Sequence, residues 1–132
     1  STTTLKEELD FARSYAYLFK IRYADKLFFE FDVDEMYNNW RLPALSLQPL
    51  IGNTVKHNSL TTKRPLTVYV RVVDGVLEIE NAKYQKLDVE TSTGIGLDNL
   101  NSRWQIIAGK SIEVVDTDTR FIVRLPLENP KL

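Results

Sequence analysis

At 132 residues the chain is sized for one domain with a full hydrophobic core, and residues 1–132 are expected to form it. Its 17 Lys+Arg offset 18 Asp+Glu, so no net field steers the molecule toward nucleic acid or an anionic membrane, and any anion site must be local. The lack of cysteine excludes disulfides, thiolate metal centres and cysteine nucleophiles; with no signal peptide and no apolar run near the ~20 residues of a membrane helix, a cytoplasmic setting is expected.

Thr4 with Glu7 three residues later fits a capping box, and Leu5, Leu9, Ala12, Ala16, Phe19 and Tyr23 recur at helical spacing, which predicts a first amphipathic helix. Lys26 to Asp34 alternates apolar with polar residues as a half-buried strand does, and Met36 to Arg41 is a polar connection. A second helix is expected from near Pro43 to about Asn58. Pro49 lies inside that span and either kinks the helix or marks where its regular part starts. On a helical projection Leu47, Leu50, Ile51, Thr54 and Val55 share one face, while Gly52, Asn53, Lys56 and His57 form a polar stripe on the other.

Leu66 to Val73 and Val76 to Glu80 read as two strands joined by Asp74-Gly75, a dipeptide suited to a tight hairpin. Asn81 to Thr93 is mostly polar, and a loop of that length invites a functional explanation. Leu97, Leu100, Trp104 and Ile107 mark a third helix that Gly109 is placed to end. Ser111 to Val115 and Arg120 to Leu127 close the chain as a hairpin. Helices with a mostly hairpin-connected set of strands predict an α/β fold, helices stacked on one face of a mixed sheet.

Two segments carry candidate chemistry. Asn53 offers a neutral oxygen, and Mg²⁺ typically takes one or two protein ligands while phosphates and waters supply the rest. Lys56 and His57, three and four residues on, share its face and could donate to phosphate oxygens; the alternative is a solvated helix face. Gly94-Ile95-Gly96 before a helix lets backbone approach a ligand and aims N–H groups at an anion; the alternative is a flexible hinge. No hydrolase triad can be read around the single histidine, His57.

Together, Pro43 through Leu50 followed by Asn53 to His57, and Gly94-Ile95-Gly96-Leu97-Asp98-Asn99 with Arg103, resemble the ATP-binding domain of sensor histidine kinases, in particular the LytS-type group. Leu5 to Leu9, Tyr17-Leu18 and Ile21-Arg22-Tyr23 extend the resemblance over nearly the whole chain. It implies a two-layer Bergerat-type α/β sandwich, with a mixed five-stranded sheet and three helices on one face, binding ATP and Mg²⁺ under a mobile lid formed by residues 82–93. By carry-over, Asn53 would coordinate Mg²⁺, Lys56 and His57 would meet phosphates, and the backbone from Thr93 through Gly94, Ile95 and Gly96 to Leu97 would border the triphosphate. Asn81 falls where relatives place the Asp that fixes adenine, and its carbonyl can still accept from the exocyclic amine. The implied partners are nucleotide, an upstream dimerisation and phosphoacceptor segment of the same protein, and a response regulator. The full-length protein is then expected to be a homodimeric two-component kinase anchored in a bacterial inner membrane, with this piece in the cytoplasm.

Two departures stand out. Gly52 occupies the position of the family's Glu, and losing a general base typically removes about 10²–10⁴ in rate. An altered site and a degenerate kinase are both readings of this glycine; the second makes the chain a pseudokinase-like interaction module with weak or no nucleotide binding. Ala82-Lys83-Tyr84-Gln85 follows Asn81 in place of the family's first glycine box. A gyrase-class ATPase is a third reading, disfavoured by the kinase-like first helix.

Overall fold

The computed structural model describes residues 1–84 and 95–131, leaving out the side chain of Ile95. Thr93, Gly94 and residues 85–93 of the expected lid lie outside the described residues.

The chain opens with a three-residue strand, β1 (Thr2–Thr4), before the first helix, α1 (Leu5–Tyr23). Thr4 caps α1 as its position predicts, its hydroxyl accepting from the Glu7 amide at 3.3 Å. The reciprocal half of the box is not made, because the Glu7 carboxylate accepts from the Thr3 hydroxyl instead. Leu5, Leu9, Ala12 and Ala16 bury one side of α1, whereas Phe11, Tyr17, Leu18 and Ile21 stand exposed on the other.

Strand β2 (Leu27–Asp32) follows, then a 3₁₀ turn over Glu35–Tyr37 and a short strand, β3 (Arg41–Pro43). β3 pairs antiparallel with β1 in a separate two-stranded sheet, with Thr2 opposite Pro43. Three-residue strands are too short to show a period, so the sequence gives no sign of this sheet. It corrects the start of the second helix: Pro43 is strand, Leu45 has φ +60°, and α2 spans Leu47–His57. Pro49 is therefore the third helical residue. Its missing N–H costs no intrahelical bond, and the carbonyl of Leu45 that its ring would strike lies outside the helix.

β4 (Leu66–Val73) and β5 (Val76–Ala82) form the expected hairpin. Asp74 and Gly75 both take positive φ, 50° and 78°, and a Cβ on Gly75 would lie 2.7 Å from the Trp40 ring, so this corner demands glycine twice over. α3 (Ile95–Ala108) ends at Gly109, φ 67°, and β6 (Glu113–Asp116) and β7 (Arg120–Pro126) close the chain. The main sheet has the order β2-β4-β5-β7-β6; β2 runs parallel to β4 and the remaining pairs are antiparallel.

One face of this sheet is apolar and the other ionic. Leu66, Val68, Val70, Leu77, Ile79, Val123 and Leu125 point into a single core shared with Leu9, Ile51, Leu100 and Trp104 of the three helices, so the helices stack on that one face. On the opposite face Glu78 takes Arg71 and Arg124, and Glu80 takes Arg71 and Arg120, lacing β4, β5 and β7 together. The two-layer α/β fold with a mixed five-stranded sheet and three helices is thus as the motifs implied. No helix among the described residues is long and apolar enough to cross a membrane.

Candidate nucleotide site

The start of α2 is fastened from both neighbouring helices. The buried Glu8 carboxylate, 3% exposed, accepts from the amides of Leu45 at 2.9 Å and Leu47 at 3.0 Å, bringing a negative charge to the N-terminus where the helix dipole favours it. From α3, the Trp104 indole N–H donates to Ser46 Oγ at 3.0 Å, and Arg103 Nη2 donates to the Ala44 carbonyl at 2.7 Å. Ser46 Oγ in turn donates to the Pro43 carbonyl at 2.7 Å. Glu8 is a carboxylate inside an otherwise apolar stripe, and that break in the pattern is the signal by which sequence reasoning could have found its role.

With its start fixed, α2 turns Leu47, Leu50, Ile51, Thr54 and Val55 into the core and presents Gly52, Asn53, Lys56 and His57 away from it, as the projection predicted. Asn53 and His57 are half-buried and Lys56 is exposed. The polar stripe meets the beginning of α3: a Cβ built on Gly96 would lie 3.5 Å from Asn53 Nδ2. Two residues 43 positions apart in sequence, each picked from a separate motif, are thereby brought to one place. Gly96 and the backbone of Ile95 and Leu97 lie in the first turn of α3, where free N–H groups are available to an anion. The Leu97 side chain packs against the core and lends this edge only its backbone.

Asn81 is part of β5 rather than the first residue of a loop, and Ala82, expected in the lid, is also in that strand. It follows Leu77 and Ile79 on the inner face, 2% exposed, with its Cα partners Val68 and Phe121 on the neighbouring strands. Its amide donates to the Ala82 carbonyl at 2.8 Å, and its Oδ1 faces the Thr54 hydroxyl at 3.3 Å. That hydroxyl has one proton and also lies 3.0 Å from the Leu50 carbonyl, so Asn81 Oδ1 keeps acceptor capacity for another donor.

The far end of α2 is tied to the chain leaving β5. Asn58 donates to the Thr54 carbonyl at 2.9 Å and accepts from the Tyr84 amide at 2.8 Å, while the Ser59 amide donates to the Tyr84 carbonyl at 2.6 Å. Thr54 and Asn58 were read only as part of a helix; each places polar groups under or beside the Asn53 stripe. Among the described residues no cluster of three His, Cys, Asp or Glu could hold a metal ion by itself, so a metal at Asn53 would draw its remaining ligands from phosphate and water.

No family model matches the chain. It is 29% identical over 148 aligned residues to the sensor histidine kinase/phosphatase LytS of Staphylococcus aureus (strain MRSA252), a match covering 96% of this chain and 25% of that protein. It is 26% identical to the sensor histidine kinase YesM of Bacillus subtilis (strain 168), covering 96% of this chain and 24% of YesM. The chain thus spans about a quarter of the length of these curated relatives. In fold it is similar to the catalytic domain of histidine kinase ThkA, with a TM-score of 0.61 at 14% identity over 96% of this chain and 97% of that one. A full-length ShkA structure in complex with AMPPNP gives a TM-score of 0.60 at 18% identity, over 98% of this chain and 32% of ShkA. Sequence and fold agree with the resemblance carried by the motifs.

Proposed function

We propose, from the premise that this chain is a HATPase_c-like catalytic domain of the sensor histidine kinase type, that it binds ATP with Mg²⁺ between the polar face of α2 and the start of α3. The observation that carries this reading is the meeting of Asn53 with Gly96, whose missing side chain keeps the space beside the amide open. The donor set suits the ligand. Asn53 offers Mg²⁺ an oxygen, Lys56 and His57 share its face for phosphate contacts, and the first turn of α3 offers backbone donors. Asn81, with its spare acceptor, suits an adenine amine. When bound, the metal would neutralise phosphate charge and polarise the terminal phosphoryl group. The chain's own residues bind and orient. The acceptor is then a histidine in an upstream dimerising segment of a membrane-anchored kinase that passes the phosphoryl group to a response regulator.

Calorimetric titration with ATP, with and without Mg²⁺, tests the site. Asn53→Ala is expected to weaken Mg²⁺-dependent binding by about tenfold or more. Wild-type affinity in that variant removes Asn53 from the site.

Gly52 favours a second reading, a pseudokinase-like interaction module that binds nucleotide weakly or not at all and works through protein contacts. A Cβ at position 52 would lie 3.3 Å from the Tyr15 hydroxyl, so a side chain there needs the tyrosine tip to give by a few tenths of an ångström. Autophosphorylation of the full-length kinase measured before and after Gly52→Glu separates the readings: a rise marks a disabled kinase, and no rise supports the module.

A further inference from the structure

A side chain at position 52 would meet another residue. Tyr15, reaching across from α1, puts its hydroxyl 3.3 Å from where a Cβ on Gly52 would sit, one residue before Asn53. Its ring is half-buried against the core and edge-on to Phe19, with ring centres 5.0 Å apart and planes at 86°. The side chain is therefore held in place by its ring, with its polar tip toward α2. No hydrogen bond to that hydroxyl is found among the described residues, and it is not one of their buried polar atoms without a partner, so its tip is open to solvent. The relative placement of the two helices is fixed by the Glu8 carboxylate on the amides of Leu45 and Leu47, so the approach of Tyr15 to Gly52 is a built feature of the α1–α2 contact.

We propose that Tyr15 is a positioning residue of the nucleotide site, its hydroxyl standing in the volume that a side chain at position 52 would take and donating to the oxygen atoms of the bound metal–phosphate unit beside Asn53. The proposal rests on the reading of Asn53 as that site. A phenol hydroxyl can donate and accept hydrogen bonds but does not replace a carboxylate as a base. The exchange of a carboxylate on α2 for a hydroxyl on α1 would then keep a polar contact for the ligand while removing the group suited to activate an acceptor. Such a site holds nucleotide more readily than it uses it.

The test is calorimetry of ATP with and without Mg²⁺ on the wild type, Asn53→Ala, Tyr15→Phe, and Tyr15→Phe combined with Gly52→Ser, with thermal melts to verify folding. Tyr15→Phe keeps the ring packing and is expected to weaken Mg²⁺-dependent binding by about 3–10-fold, and to weaken metal-free binding, in which no metal holds the phosphate beside Asn53, by less. Returning a hydroxyl from the other helix, with Gly52→Ser, is expected to recover part of that loss. Unchanged affinity in Tyr15→Phe, alongside a loss in Asn53→Ala, overturns the proposal and leaves the site standing. Equal weakening with and without Mg²⁺ shows a merely structural tyrosine and also overturns it. Wild-type binding in Asn53→Ala brings down the site reading itself.

Discussion

The entry into α2 and the polar face of its eleven residues are built differently. Its N-terminal end is over-determined: a buried carboxylate from α1, an indole and a guanidinium from α3, and a serine hydroxyl all converge on residues 43–47. On its polar face, by comparison, Asn53 meets the space left by Gly96, and Gly52 meets the Tyr15 hydroxyl. The difference separates what holds the helix from what the helix holds out. Changes at the fastened end should cost stability first, and changes on the polar face should cost binding with little stability.

The sharpest way to break this division is Trp104→Ala. Trp104 is fully buried and donates to Ser46, so the change opens a large cavity and removes one of the two hydrogen bonds of a buried hydroxyl; about 3–5 kcal/mol of stability is expected to be lost in urea denaturation. Glu8→Gln comes next. It removes the charge and leaves only one acceptor for two amides, for an expected loss of about 2 kcal/mol in the same measurement. A loss below about 0.5 kcal/mol would mean the N-terminus of α2 is held by the bonds from α3 and the apolar contacts without the carboxylate.

The ionic face of the sheet is a third region, remote from α2, and it responds to acid. Burial pushes the Glu80 carboxyl up, but hydrogen bonds and charge from Arg71 and Arg120 together outweigh burial and hold it below its ordinary value of 4.5. A carboxylate depressed in the folded state contributes stability above its unfolded pKa and loses it as pH falls through the folded value. Stability is therefore expected to decline as pH drops below about 4.5, and Glu80→Gln should lower it by about 1 kcal/mol at pH 7 while flattening the acid limb. An unaltered acid limb in the variant would shift the cause to other carboxylates.

The sequence made the regular, long elements legible because each carries a full period: the apolar stripe of α1, the β4–β5 hairpin at Asp74-Gly75, and the stop of α3 at Gly109. It also placed Asn53, Lys56 and His57 on the solvent side of α2, since helical projection depends only on spacing. What it could not show were features made by pairing across the chain. The β1–β3 sheet joins two three-residue strands some 39 positions apart, and it is this pairing that moves the start of α2 from Pro43 to Leu47. Asn81 looked like the first polar residue of a loop because its inward direction is set by β4 and β7 rather than by its own neighbours. Glu8 and Tyr15 escaped notice for the same reason: their partners lie on another helix.

The smallest effect is the most discriminating. In an ordinary helix interior Gly→Ala gains about 1 kcal/mol, so Gly52→Ala would stabilise the protein if the polar face were truly unconstrained. At 3.3 Å from the Tyr15 hydroxyl, however, the new methyl group sits closer than a comfortable contact, and the tyrosine must shift by a few tenths of an ångström. That contact is expected to cancel most of the gain, leaving a change near zero. Removing the hydroxyl restores the room: in a Tyr15→Phe background the same Gly52→Ala change should recover close to the full ~1 kcal/mol. A double-mutant cycle in urea measures this coupling directly. If Gly52→Ala stabilises both backgrounds equally, Tyr15 and position 52 are independent, and position 52 carries no packing constraint from α1.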